Sequence, residues 1–145
     1  MIREATQADV FDLVVLTRDF TKEAGPFYKF DRVKAEQLIS GAIEHEDYLV
    51  AVLEIDNELK GMLVAQMSNH FILNRRVAFD IGWYVAPEAR GSSGSVKLIK
   101  YFENWGKSKG VDTLVLADIP HLTDLAKVYT KLGYALSERS YAKVL

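Results

Sequence analysis

The chain of 145 residues has no cysteine, only three prolines and no long apolar run. Without cysteine there can be no disulfide, no thiolate metal site and no cysteine nucleophile, and the absence fits a reducing, cytoplasmic setting. No stretch approaches the ~20 apolar residues that span a bilayer. The opening MIREATQADV has no apolar signal core, so no membrane partner is expected. Excess positive charge is also missing. Lysine and arginine total 18 against 20 aspartates and glutamates, a net charge of −2, which lacks the basic footprint of a nucleic-acid binder. There is no repeat, low-complexity tract or linker, and the length suits one domain over residues 1–145.

What is present is an ordinary globular composition, 49% apolar and 26% charged, with clear periodicity. Ile2 to Glu4 reads as a short strand. Thr6 can cap a helix, with Asp9 standing in for the usual Glu of a capping box. Val10, Leu13, Val14 and Leu16 recur at helical spacing to about Phe20. Gly25-Pro26 breaks the chain. Phe27, Tyr28 and Phe30 follow in a loop, either as substrate contacts or as plugs at the edge of the core. Asp31 opens a second helix with Val33, Leu38, Ile39 and Ala42 on one face. Tyr48–Ile55 and Leu59–Met67 flank an Asp56-Asn57 turn and read as a hairpin. A crossing segment, SNHFILNRR, carries His70, Phe71, Arg75 and Arg76; residues of this kind in a loop are commonly just solvated.

The organising stretch is Phe79 to Gly110, FDIGWYVAPEARGSSGSVKLIKYFENWGKSKG. It reads as a central strand over Val77–Ala86, a small-residue loop after Pro87, and a helix burying Leu98, Ile99, Phe102 and Trp105. Gly110 ends that helix. Thr113–Ala117 is a short apolar strand expected parallel to the one before the helix, closing a right-handed crossover. Thr123 is expected to cap a last helix running to Leu132. Tyr134–Leu136 and Ser140–Leu145 are expected to be closing strands. The fold class is α+β in α/β/α layers, a mixed, mostly antiparallel sheet with one βαβ unit.

A strand, a small-residue turn and a helix N-terminus form an anion site. The first helical amides have no internal acceptor, and the helix dipole adds positive potential. Arg90 to Val96 are therefore candidates to hold a pyrophosphate. The alternative is a flexible Gly/Ser connector with Ser92 or Ser93 capping the helix. The loop is neither a P-loop, since Val96 stands five residues after Gly91, nor a three-glycine dinucleotide fingerprint.

Two motifs carry a family resemblance. WYVAPEARGSSGS at Trp83–Ser95 is similar to Val-x-Pro-Glu-x-Arg-Gly-x-Gly-x-Gly, and YTKLGY at Tyr129–Tyr134 to Tyr-x-Lys-x-Gly-Phe. Both patterns belong to the GNAT superfamily of acyl-CoA-dependent N-acyltransferases, which this chain resembles over nearly its whole length. The resemblance implies a GNAT-like fold and acetyl-CoA as co-substrate, with no metal. It implies that Trp83, Tyr84 and Val85 pair with the pantetheine arm. The pyrophosphate would then lie on Arg90, Gly91, Ser92, Ser93, Gly94, Ser95 and Val96. Ser93 and Ser95 stand where the family has glycines, and a positive φ at Ser93 would cost on the order of 1 kcal/mol. Leu122 replaces an Asn that contributes a cofactor contact in the family.

Acyl transfer to an amine needs a neutral nucleophile, a stabilised oxyanion and a proton for the leaving thiolate. Deprotonating a lysine-like amine at neutral pH costs roughly 4–5 kcal/mol. The resemblance places Tyr129 as the proton donor, against the plainer reading of a packed core tyrosine. It places Asp80 as the base, against a carboxylate balanced by an arginine, with Asp118 and His121 as further choices. The implied activity is transfer of an acetyl group from acetyl-CoA to an unidentified primary amine by direct attack in a ternary complex. Phe27, Tyr28, His70 and Phe71 are candidates to line the acceptor site. The rival is a non-catalytic module of the same fold that binds acyl-CoA or a partner. A homodimer is compatible with either.

Overall fold

The structure is a computed structural model and describes residues 1–122 and 124–145. Thr123, expected as a helix cap, lies outside the described residues. The elements run β1 (Ile2–Glu4), α1 (Val10–Ala24), α2 (Arg32–Ile43), β2 (Tyr48–Ile55), β3 (Glu58–Asn69), β4 (Arg76–Val85), α3 (Gly94–Ser108), β5 (Thr113–Val115) and α4 (Ala126–Lys131). The five strands form one sheet in the order β1-β2-β3-β4-β5. All neighbours are antiparallel except β4 and β5, which are parallel. This is the expected α+β architecture with one βαβ unit.

Alternation along the strands sorts the core into two layers. Val50 and Val52 of β2 join Met62, Val64 and Tyr84 under α1 and α2. Leu49, Ala51 and Leu53 face the other way and join Leu63, Ala78 and Val85 under α3. Leu98 and Phe102 of α3 belong to that second layer, and with Ile99 they are fully buried, each contributing roughly 1.5–3 kcal/mol of hydrophobic stabilisation. The turn between β2 and β3 is as expected. Asp56 and Asn57 take φ of 52° and 64°, the left-handed pair that a two-residue hairpin of right-twisted strands requires.

Helix starts follow their caps. The Asp31 carboxylate accepts from Lys34 N at 3.0 Å. Thr6 N donates to Asp9 Oδ2 at 2.7 Å, and Asp9 also binds the Arg3 guanidinium at 2.8 and 2.9 Å. That pairing, led by the Arg3 hydrogen bond, holds the Asp9 carboxyl well below the usual carboxylate range.

Four expectations are corrected. Val33 and Leu38 are exposed, because a six-residue step turns ~600° and puts Val33 off the face of Ile39. The buried stripe is instead Ala35, Ile39, Ala42 and Ile43. Tyr134–Leu136 and Ser140–Leu145 form no strand. Leu136, Tyr141, Val144 and Leu145 are all exposed, so the apolar residues of this tail meet no partner edge. Since among the described residues no strand follows β5 in the sheet, β4 stands next to last and β3 is central. The last helix is also shorter than expected, six residues ended by Gly133 at φ 90°.

Candidate active site

The site begins with an irregularity in β4. Its register against β3 steps from Val64↔Gly82 to Ala65↔Asp80, leaving Ile81 as an extra residue. A bulge of this kind bends its strand and disrupts the ladder. On the other side, β4 pairs with β5 only from Val77↔Thr113 to Phe79↔Val115. Beyond Phe79 the two strands part.

Side chains hold the opening. Asp80 Oδ1 accepts from Ala117 N at 2.9 Å. The Tyr129 hydroxyl donates to Ala117 O at 2.7 Å, and Trp83 Nε1 donates to the Tyr129 oxygen at 3.0 Å. The two proposed catalytic side chains are thus brought to one peptide segment. No arginine balances Asp80 here; an amide does. Burial pushes the Asp80 carboxyl up, with the Ala117 amide partly opposing. Burial likewise pushes the Tyr129 phenol well above its ordinary range, again opposed by Trp83, so Tyr129 is a neutral, proton-bearing phenol at physiological pH.

The edge of β4 that faces the opening can be assigned. Ala86 N donates to Lys60 O of β3 at 2.8 Å. By the two-residue alternation of a strand, Tyr84 also turns its backbone to β3, while Trp83 and Val85 turn theirs to the opening. Of the three residues expected to pair with a pantetheine arm, Trp83 and Val85 present backbone groups there. Tyr84 is buried on the α1 side. The carbonyl of Val85 already accepts from Arg90 Nε at 2.8 Å.

The loop after β4 is built without strain. Gly91 takes φ 77°, and Ser93 sits at φ −66°. The left-handed residue is therefore the glycine, and the serine at 93 incurs no steric penalty. Ser92 Oγ donates to Ala89 O at 2.8 Å and accepts from Gly94 N at 3.2 Å, so Ser92 caps one of the orphan amides. Lys97 N is the first amide to close onto the helix, reaching Ser93 O at 2.9 Å. The amides of Ser95 and Val96 belong to the first turn, which has no intrahelical acceptors. A Cβ on Gly94 would lie 2.6 Å from Leu53 Cδ2. Glycine there lets the start of α3 press against β2.

Arg90 turns away from the loop. Besides Val85 O, its guanidinium reaches Glu23 Oε2 at 2.8 Å and lies 5.3 Å from the centre of the Tyr84 ring. The other oxygen of Glu23 accepts from the Tyr84 hydroxyl. Burial opposes ionisation of Glu23, but these two hydrogen bonds outweigh it and leave the carboxyl below its usual value. Sequence reading missed Glu23. Its only local signal is an acidic residue near the end of α1, two before Gly25.

The candidate acceptor residues fall in two places. Tyr28 packs edge-on against Phe20, centroids 5.8 Å apart, and Phe20 against Tyr84 at 6.1 Å. Phe27 is exposed beside them. His121 joins this side through Nε2, 2.8 Å from Ala24 O. His70 and Phe71 instead form the tip of the β3–β4 hairpin, at the opposite end of β4 from the loop. Their rings stack at 5.5 Å, and His70 Nδ1 accepts from Ile72 N and Leu73 N at 3.2 and 3.0 Å.

An unladdered strand edge with backbone groups at Trp83 and Val85, followed by small residues and helical amides, fits an extended chain ending in phosphates. Among the described residues, no group of three or more His, Asp or Glu is placed to hold a metal, and no helix is long and apolar enough to cross a membrane.

Comparison with known proteins bears on the family and the fold. Residues 11–134 match the sequence model of the Acetyltransferase (GNAT) family. No curated protein sequence matches the chain. Among solved structures, a transcriptional regulator from Bacillus halodurans C-125 superimposes with a TM-score of 0.83 at 19% identity, over 100% of this chain and 99% of that one. An aminoglycoside 6'-N-acetyltransferase from Acinetobacter haemolyticus gives 0.77 at 19% identity, with 100% and 99% covered. An aminoglycoside N-acetyltransferase in complex with CoA gives 0.76 at 19%, with 100% of both chains covered. At these identities the likeness concerns the fold.

Proposed function

This chain belongs to the acetyltransferase (GNAT) family, and from that membership we propose that it transfers an acetyl group from acetyl-CoA to a primary amine by direct attack in a ternary complex. The observation that carries the reading is the opening between β4 and β5, with a protonated Tyr129 hydroxyl inside it and Asp80 on its margin. Acetyl-CoA supplies, when bound, a thioester carbonyl open to attack by an amine.

The residues of this chain divide the remaining work. Trp83 and Val85 offer backbone groups along the arm of the cofactor. The amides from Gly91 to Val96 receive its pyrophosphate. Asp80 accepts the proton that the amine loses, and burial, by raising its pKa, brings it nearer the value an effective base needs. Tyr129 gives its proton to the sulfur as the carbon–sulfur bond breaks, and regains one from solvent. Phe20 near the end of α1, with Phe27 and Tyr28 in the loop after it, lines the approach of the acceptor. His70 and Phe71, at the far hairpin tip, have no part in this reading.

One observation favours a second reading. The Tyr129 proton already points at Ala117 O, as it would in a non-catalytic module where the tyrosine only closes the sheet.

Calorimetric titration with acetyl-CoA and with CoA, followed by an amine screen that reads thiol release, tests the first reading. Gly91→Val is the control, since its surroundings are open and only its positive φ resists a side chain. Micromolar binding lost in Gly91→Val, with thiol release on adding an amine, is expected. Binding without release from any amine would favour the second reading, and no binding at millimolar ligand would overturn the first and leave a non-catalytic, partner-binding module.

A further inference from the structure

The indole of Trp83 is the unused group in this site. Its backbone faces the opening, but its side chain crosses to α4, where Nε1 donates to the Tyr129 oxygen at 3.0 Å. The two rings lie 6.5 Å apart, tilted by 46°. Tyr129 therefore accepts one hydrogen bond and donates one, to Ala117 O at 2.7 Å.

The groups facing this phenol are otherwise unfriendly to its anion. Asp80 of β4, Asp118 of the β5–α4 loop and Tyr134 after α4 each disfavour loss of its proton, as does burial. The Trp83 hydrogen bond acts in the opposite sense. An N–H aimed at a phenol oxygen strengthens as that oxygen gains charge, so it is worth more during proton donation than before it.

We propose that Trp83, through its indole N–H, is a positioning residue that aims the Tyr129 hydroxyl and stabilises the negative charge left on it when the proton passes to the departing thiolate. This rests on the acid role given to Tyr129 above. The step balances. The amine nitrogen bonds to the acetyl carbon and gives up a proton to Asp80, which later releases it to water, while the carbon–sulfur pair leaves on sulfur. That sulfur takes the Tyr129 proton, and the phenolate, held by the indole N–H, is reprotonated from water.

A hydrogen bond to a charged oxygen contributes enough to change a rate by about tenfold to a hundredfold. Trp83→Phe should lower kcat by that factor with the KM for acetyl-CoA changed less than about threefold. Trp83→Met serves the same comparison if the phenylalanine variant does not fold. The decisive readout is rescue by acidity. Trp83→Phe protein grown with 3-fluorotyrosine carries a more acidic phenol and should regain most of the lost kcat, whereas Trp83→Phe/Tyr129→Phe protein grown the same way should not. A loss confined to KM, or a kcat loss that fluorotyrosine leaves untouched, would overturn the proposal while leaving the acid role intact. Wild-type kcat in Tyr129→Phe would overturn the acid role and this inference together.

Discussion

Arg90 and Glu23 lie 67 residues apart in sequence and 2.8 Å apart in the structure. The pair fastens the end of α1, with its aromatic side chains, to the start of the small-residue loop. Arg90 also holds Val85 O, so one guanidinium joins the last turn of α1, the end of β4 and the loop. The arginine that the family motif identifies with the phosphate site acts, through its side chain, as a brace between α1 and the end of β4.

Glu23→Ala should therefore destabilise the fold by about 1–2 kcal/mol, because it leaves the Tyr84 hydroxyl and the Arg90 guanidinium without their acceptor, and the pair is partly exposed. The pH dependence has a definite sign. The folded carboxyl titrates below its ordinary value, so its stabilisation is present above the unfolded glutamate pKa of ~4.3 and is lost as the pH falls through the folded value. Urea melts at pH 7 and pH 3 should show a wide gap between wild type and variant at the first and a narrow one at the second. Equal gaps would mean that ionisation of Glu23 is irrelevant.

Gly94→Ala tests whether α3 must approach β2 as closely as it does. The new methyl would meet Leu53 Cδ2 at 2.6 Å, and Leu53 is itself buried. Overpacking of this kind costs about 1–3 kcal/mol. Leu53→Val removes part of the obstacle, so the same glycine substitution should cost markedly less in that background. Additive losses in chemical denaturation of the double variant would show that the two positions do not touch.

Much of this architecture is readable from local sequence because it is locally caused. Asp31 caps α2, Asp56-Asn57 makes its hairpin turn, and Leu98, Ile99 and Phe102 bury one face of α3. The bulge at Ile81 is different. It exists only in the register against β3, and no pattern within β4 declares it. The Glu23–Arg90 brace is likewise set by tertiary approach. The tail shows the opposite error. Tyr134–Leu136 and Ser140–Leu145 read as strands, but a strand needs an edge to pair with, and Leu136, Tyr141, Val144 and Leu145 stay exposed instead. Ser93 looked unfavourable only on the premise that the loop bends there, whereas it bends at Gly91.

Ser93→Gly follows from that last point. Since Ser93 already has a right-handed φ of −66°, restoring the glycine of the family pattern relieves nothing. CoA affinity by calorimetry should stay within about twofold, and stability should fall by a few tenths of a kcal/mol from the added backbone freedom. A tenfold gain in affinity would show that the loop rearranges to a left-handed residue 93 on binding.

Asp80 holds Ala117 in the structure and is the base in the proposed mechanism, and two substitutions tell these roles apart. Its Oδ1 holds Ala117 N at 2.9 Å, which an asparagine oxygen can also do. Only the carboxylate can take a proton from an amine. Asp80→Asn should keep the opening between β4 and β5, and with it acetyl-CoA binding, while lowering kcat by at least about a hundredfold, the scale of a lost general base. Asp80→Ala should lose both. Stability supplies an independent check. Burial raises the folded pKa of Asp80, so its contribution to folding is complete below the unfolded aspartate pKa of ~3.9 and declines as the pH rises through the folded value. Asparagine has no charge to bury, so Asp80→Asn should melt at a higher temperature than wild type at pH 7, with the difference closing on acidification to about pH 4. A variant that melts higher and still turns over at the wild-type rate would confine Asp80 to holding Ala117 and leave deprotonation of the amine to water.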